Sequence, residues 1–236
     1  MVNFLSFVLL LHWVSNPARG QEYLLSFTIS EVVQCSPFAI GFSSNATAMD
    51  SPLTLTVLPF SDEPLTFPIP DTALNTSGVS VSFIPIRANK EFIASVDDSA
   101  GQNIALVSGV TTVLPSLAGN DSCLSSSGNS VHSNGYKVLT TPGQCQDISI
   151  TYDTTYVMTA PTVRAFTPNG NSVVLPQTSD DPVNGTATYT IILPRGTQML
   201  LMFDDGMQYQ GTSDLMTGRG FSNIIQSRQL RRETLS

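Results

Sequence analysis

The sequence predicts an all-β chain of two tandem β-sandwich domains, and three observations lead there. Short segments alternate apolar with polar or small residues, turn signals separate them every 8–15 residues, and the whole pattern occurs twice. The segments 22–29 (EYLLSFTI), 37–42 (PFAIGF), 53–58 (LTLTVL), 79–86 (VSVSFIPI) and 91–97 (EFIASVD) are rich in Val, Ile, Phe and Thr. Period-two alternation of that kind suits a strand with one face buried. Ser61-Asp-Glu-Pro64, Asp97-Asp-Ser-Ala-Gly101 and Asn169-Gly170 supply the turns at the spacing of a sandwich or barrel. No segment beyond residue 20 keeps a 3.6-residue period over three turns, so an immunoglobulin-like sandwich is the form expected of each domain.

The repetition is read by offset. Gln34-Cys35 falls on Gln144-Cys145 at 110 residues, and Pro52–Pro59 falls on Pro161–Pro168 at 109. Pro85 meets Pro194 at 109, Phe92–Asp98 matches Leu200–Asp205 within two or three residues of that offset, and Gly109-VTTV matches Gly220-FSNI at 111. Order and spacing hold through a full unit of about 100 residues, an ordinary domain size. The stretch from Leu124 to Gly135 is rich in Ser, Asn and Gly with little to bury, the composition of a linker. The predicted organisation is a signal peptide at 1–20, a first domain at 21–128, a linker at 129–135, and a second domain at 136–236.

The signal peptide rests on the apolar run Phe4–Val14, too short to span a bilayer. Ala18 and Gly20 then place small residues at the −3 and −1 positions before Gln21, as signal peptidase requires. Removing it takes away Trp13, His12 and Arg19, leaving nine basic residues against eighteen acidic ones. A body this acidic argues against nucleic acid or an anionic membrane as partner. Beyond residue 20 no apolar run is long enough to span a membrane. In an exported chain the sequons at Asn45, Asn75, Asn120 and Asn184 are expected N-glycosylation sites, which places them at the surface.

Three cysteines leave one over. Cys35 opens the first unit and Cys123 closes it, so these two are expected to form a disulfide. Cys145 corresponds to Cys35, but nothing in QSRQLRRETLS (226–236) corresponds to Cys123. Either the second bridge is lost and Cys145 is a free thiol, open to a disulfide-linked dimer, or the second domain is incomplete at its C-terminus.

The motifs Gln34-Cys35-Ser-Pro-Phe38-Ala-Ile40, Pro52-Leu-Thr-Leu-Thr-Val57 and Asp121-Ser122-Cys123-Leu124 resemble a group of fungal, chiefly basidiomycete, surface proteins. Those proteins carry Ser/Thr-rich wall-associated domains of the Kre9/Knh1 kind. The resemblance covers both repeats. It implies a cell-surface setting and carries over no catalytic residue; the ligand stays open, with a wall polysaccharide or another surface protein as the candidates. Members often continue into a Ser/Gly-rich stalk, a transmembrane helix and a cytoplasmic tail, none of which follows here.

Residues placed to carry chemistry are few. His132 is the only histidine beyond residue 20 and lies in the linker, a poor place to fix a general base. No His/Cys/carboxylate spacing suggests zinc, and Gly218-Arg-Gly220 is too short to cradle phosphate. Asp97-Asp98 and Asp204-Asp205 are equivalent pairs. Neighbours on a strand point to opposite faces, so neither pair is itself a dyad, and a turn role is expected of both. Asp180, Asp181 and Asn184 read as a solvated turn more readily than as a calcium site. Met199, Met202, Met207 and Met216 read as core filler. Tyr23, Tyr136, Tyr152, Tyr156, Tyr189 and Tyr209 form no sequence cluster that marks a sugar platform. The expectation is therefore a non-catalytic secreted or cell-surface glycoprotein, a binding or wall-associated structural module without cofactor or metal. The alternatives are a secreted glycosidase using carboxylates from separate strands, or a membrane-tethered sensor whose anchor lies outside this chain.

Overall fold

The computed structural model describes residues 25–44, 52–75, 78–124, 135–207 and 209–219. The signal peptide, most of the linker with His132, Asn45, Tyr23 and the C-terminal tail lie outside the described residues, as does the Asn75 side chain.

The first unit contains β1 (Leu25–Ile29), β2 (Phe38–Ser44), β3 (Leu53–Pro59), β4 (Leu65–Ile69), the one-turn α1 (Asp71–Asn75), β5 (Gly78–Val81), β6 (Glu91–Asp97) and β7 (Thr111–Thr112). They form two antiparallel sheets, β1-β2-β5 and β4-β3-β6-β7. The second unit contains β8 (Tyr136–Val138), β9 (Asp147–Tyr152), β10 (Thr162–Phe166), β11 (Ser172–Val174), β12 (Gln177–Asp181), β13 (Thr186–Thr190), β14 (Gln198–Asp204), β15 (Gln210–Thr212) and β16 (Met216–Thr217). Its sheets are β12-β13-β9-β8 and β11-β10-β14-β15, with β16 also on β14. The chain is all-β, two tandem immunoglobulin-like sandwiches.

Alternation builds each core. Phe38, Ile40 and Phe42 of β2 meet Leu55 and Val57 of β3 and Phe92, Ala94 and Val96 of β6. In the second unit Ile148, Ile150 and Tyr152 of β9 meet Val163 and Ala165 of β10 and Leu201 and Phe203 of β14. The Cys35–Cys123 disulfide ties the ends of the first unit together, and Cys145 is free and exposed.

The expectation of one buried face fails for the strands at the centre. β3 is buried at nearly every position, as is β6, and β14 is exposed only at its first residue. The physical reason is a third core between the units: Leu58, Ile93 and Val107 pack against Phe166 and Leu200. β3 and β6 therefore present one row of side chains to their own sandwich and the other row to β10 and β14. The sheets stack as four layers, and the side chains at the centre of the seam are as buried as those of the cores on either side.

The strand registers also correct the repeat alignment. Thr54 pairs Asp97 in β3–β6 and Thr162 pairs Asp204 in β10–β14, so β3 maps onto β10 at 108 residues rather than 109. Glu91 pairs Thr112 and Gln198 pairs Thr217, which maps β7 onto β16 at 105 and displaces the Gly109/Gly220 match. The Pro85/Pro194 match fails too, because the equivalent glutamines Gln34 and Gln144 accept from the backbone N–H of Ala88 and Arg195, 107 apart. Short loop-length differences between the copies account for all three shifts.

Candidate functional site at the seam between the units

The seam has an approximate two-fold axis, and four backbone hydrogen bonds cross it as two matched pairs. The Ser61 N–H donates to the Ser213 carbonyl at 3.0 Å, and the equivalent Asn169 N–H donates to the Ser108 carbonyl at 3.2 Å. The Thr212 N–H donates to the Asp62 carbonyl at 2.9 Å, matched by Val107 to Gly170 at 2.8 Å. Ser108 Oγ accepts from the Ala94 N–H at 2.8 Å, and Ser213 Oγ from the Leu201 N–H at 2.9 Å. Ser61 and Asn169 both hold the left-handed conformation, with φ of 54° and 56°, which few non-glycine residues adopt. That geometry aims the turn N–H groups across the seam.

Along the seam the side chains change from apolar to polar, and the polar end opens as a cleft of about 600 Å³. Equivalent residues of the two units line it, among them Thr54 and Thr162, Asp97 and Asp204. At its floor the symmetry breaks. Arg164 stands where the first unit has Thr56, and its Nη2 reaches Asp97 Oδ1 at 2.8 Å. Asp97 also accepts from the Thr56 hydroxyl at 3.1 Å and the Ser95 hydroxyl at 2.9 Å. The guanidinium is held from behind by Ser172 Oγ, 2.9 Å from Nε, and lies 4.6 Å over the Phe166 ring. Asp204 is engaged within its own hairpin, accepting from the Gly206 N–H at 2.8 Å and Gln210 Nε2 at 2.9 Å.

The turn reading thus holds for Asp98 in the first pair and for both Asp204 and Asp205 in the second. Asp98 Oδ1 accepts from the N–H groups of Ala100 and Gln102, and Asp205 Oδ1 from those of Met207 and Tyr209. Asp97 departs from it, being the buried half of an ion pair between units. The signals that could have found this pair were Arg164, a lone cation inside the strand TVRAF, and the unbroken apolar run Met199–Phe203. A strand buried on both faces reads as such a run rather than as an alternation.

The other candidates are scattered. Asn120 is exposed, its Oδ1 accepting from the Ser122 N–H at 3.1 Å and hydroxyl at 2.7 Å. Asn184 is exposed in the β12–β13 turn, donating from Nδ2 to Asp181 Oδ2 at 2.7 Å. That bond and the Asn184 N–H hold the Asp181 carboxyl below its ordinary range. Asp180 accepts from the Tyr152 hydroxyl at 2.8 Å. Burial first, and that bond second, push the Tyr152 phenol up to about 12. Among the described residues no three His, Cys, Asp or Glu side chains gather as metal ligands, and no helix is long and apolar enough to cross a membrane. Met199 lies in the second core and Met202 against the seam, whereas Met207 is exposed. The tyrosines form two pairings that the sequence did not reveal. Tyr136 stacks on Phe203 at 5.1 Å, and Tyr156 meets Tyr209 at 5.6 Å.

No family model matches the chain, and no curated protein matches it. Solved structures do. A biofilm-associated protein (BSP domain) aligns over 84% of this chain and 30% of its own, at 14% identity and a TM-score of 0.30. The chicken CNTN1 FN1–FN3 domains align over 82% of this chain and 66% of their own, at 13% identity and a TM-score of 0.27. The chain therefore spans less than a third of the first of these.

Proposed function

We propose that this chain is a non-catalytic, secreted or cell-surface glycoprotein of the fungal kind its motifs resemble, a binding or wall-associated structural module. The observation that carries the reading is the use made of the carboxylates at the cleft. Asp97 is neutralised by Arg164 and hydrogen-bonded by two hydroxyls, while Asp98 and Asp204 accept hydrogen bonds within their hairpins. A glycosidase requires a protonated carboxylic acid and a free carboxylate facing one bond, and groups so engaged supply neither. The disulfide fits an oxidising compartment, and the exposed Asn120 and Asn184 are the described positions where N-glycans attach. Incubating the purified protein with fungal glucans and chitin tests the reading. Binding to the insoluble polymer without release of reducing ends is expected, and hydrolysis would overturn it.

One observation favours a second reading, a secreted glycosidase: the equivalent carboxylates Asp97 and Asp204 line the same cleft. On that reading polymer hydrolysis occurs and Asp204→Asn abolishes it.

A further inference from the structure

The seam buries the same surface of each repeat against the other, the arrangement of an isologous dimer interface drawn within one chain. Leu58 and Phe166, Ile93 and Leu200, Ser61 and Asn169, and Ser108 and Ser213 are equivalent residues meeting across one axis. Each half also carries its own core and its own two sheets. The recognition between halves therefore uses nothing from the chain that joins them. Residues 125–134 read SSSGNSVHSN, ten residues with one apolar side chain of any size, and ten residues reach at most about 35 Å.

We propose that the seam is a self-recognition surface whose partner in trans is a second copy of this chain. The first unit of one molecule pairs with the second unit of the other, and the reverse pairing closes a two-chain ring. Exchange of this kind costs little because every contact is remade. The Arg164–Asp97 pair directs it. A pairing of two first units would place Thr56 where Arg164 stands and leave Asp97 buried without a cation, whereas first-to-second pairing satisfies it. Desolvated charge left unpaired selects against the wrong partner. The cis and trans forms share one interface, so concentration and the freedom of the connection decide between them.

Charge reversal tests this in full-length protein. Asp97→Arg gives a chain with two facing cations, and Arg164→Asp a chain with two facing carboxylates, so each alone repels its own other half. Mixed, the two chains offer two restored pairs. The expected result is a 1:1 complex of twice the monomer mass by native mass spectrometry and light scattering, absent from either variant alone. A mixture that stays monomeric overturns the proposal. The double variant Asp97→Arg/Arg164→Asp, which restores the pair in cis, is expected to return to monomer. A second variant leaves the seam untouched: deleting residues 125–134 joins Leu124 directly to Gly135. Dimers or longer closed assemblies are expected from it, and a monomer overturns the proposal. Neither readout depends on polysaccharide binding, so this inference and the proposed function fail separately.

Discussion

Replacing Arg164 with alanine would strand the Asp97 carboxylate where 7% of the side chain meets water. Removing one partner of a buried pair costs about 3–5 kcal/mol, because the remaining charge stays desolvated. Arg164 is itself 16% exposed, so water can reach in, and the lower figure of about 3 kcal/mol is expected from the shift of the urea midpoint. Asp97→Asn/Arg164→Met removes both charges and is expected to recover most of that loss. A double variant as unstable as the single one would show that the hydroxyls of Thr56 and Ser95, not the cation, set the cost. Cys145 gives a second test at this scale. It is exposed and without a disulfide partner among the described residues, so a thiol reagent is expected to label one cysteine in the native protein. Labelling that appears only after denaturation would place the thiol under cover. The carboxylates and cysteines were legible as candidates from the sequence. It could not say which neighbour of Asp97 lay across the seam, because Arg164 is 67 residues away.

At the level of single strands, legibility followed exposure. β9 alternates buried and half-buried or exposed residues, and its sequence DISITY reads directly as a strand with one wet face. β14 reads MLLMF because its second face meets the other unit, and no rule applied within one domain anticipates that. β12 is exposed at every position, and it is held at its end by the bond from Tyr152 of β9 to Asp180. This bond has a pH signature. The Tyr152 phenol is raised from 10.0 to about 12, so the folded chain keeps a proton that the unfolded chain releases. The stability it contributes is complete below pH 10 and is lost as pH rises through about 12. Urea midpoints followed across that window should fall, and Tyr152→Phe should flatten this part of the fall. An identical slope in the variant would assign the alkaline loss to other groups. At the acid end the sign reverses. Hydrogen bonds hold Asp153 and Asp181 below the ordinary carboxylate range, so their contribution is present above about pH 4 and declines as pH falls through their lowered values.

Across the whole molecule, the seam decides whether the halves unfold together. Five buried apolar side chains meet there, each worth about 1.5–3 kcal/mol when removed from water, together with the four turn hydrogen bonds. An interaction of that size is a large fraction of what stabilises a domain, so opening either sandwich exposes the seam face of the other and lowers its stability too. A single cooperative thermal transition is expected for the intact chain, with calorimetric and van't Hoff enthalpies that agree. Leu200→Asp places an unpaired carboxylate in the seam while leaving the inward row Met199, Leu201 and Phe203 in place. Two transitions should then appear, the upper one belonging to the first unit, which keeps its Cys35–Cys123 loop of separation 88. A loop of that length contributes about 4–5 kcal/mol in the chain-entropy model. Ile93→Asp lies at the equivalent position across the axis and should uncouple the units in the same way. If one substitution splits the transition and the other leaves it single, the seam is held from one side only, and the matched pairs of contacts do not share its energy.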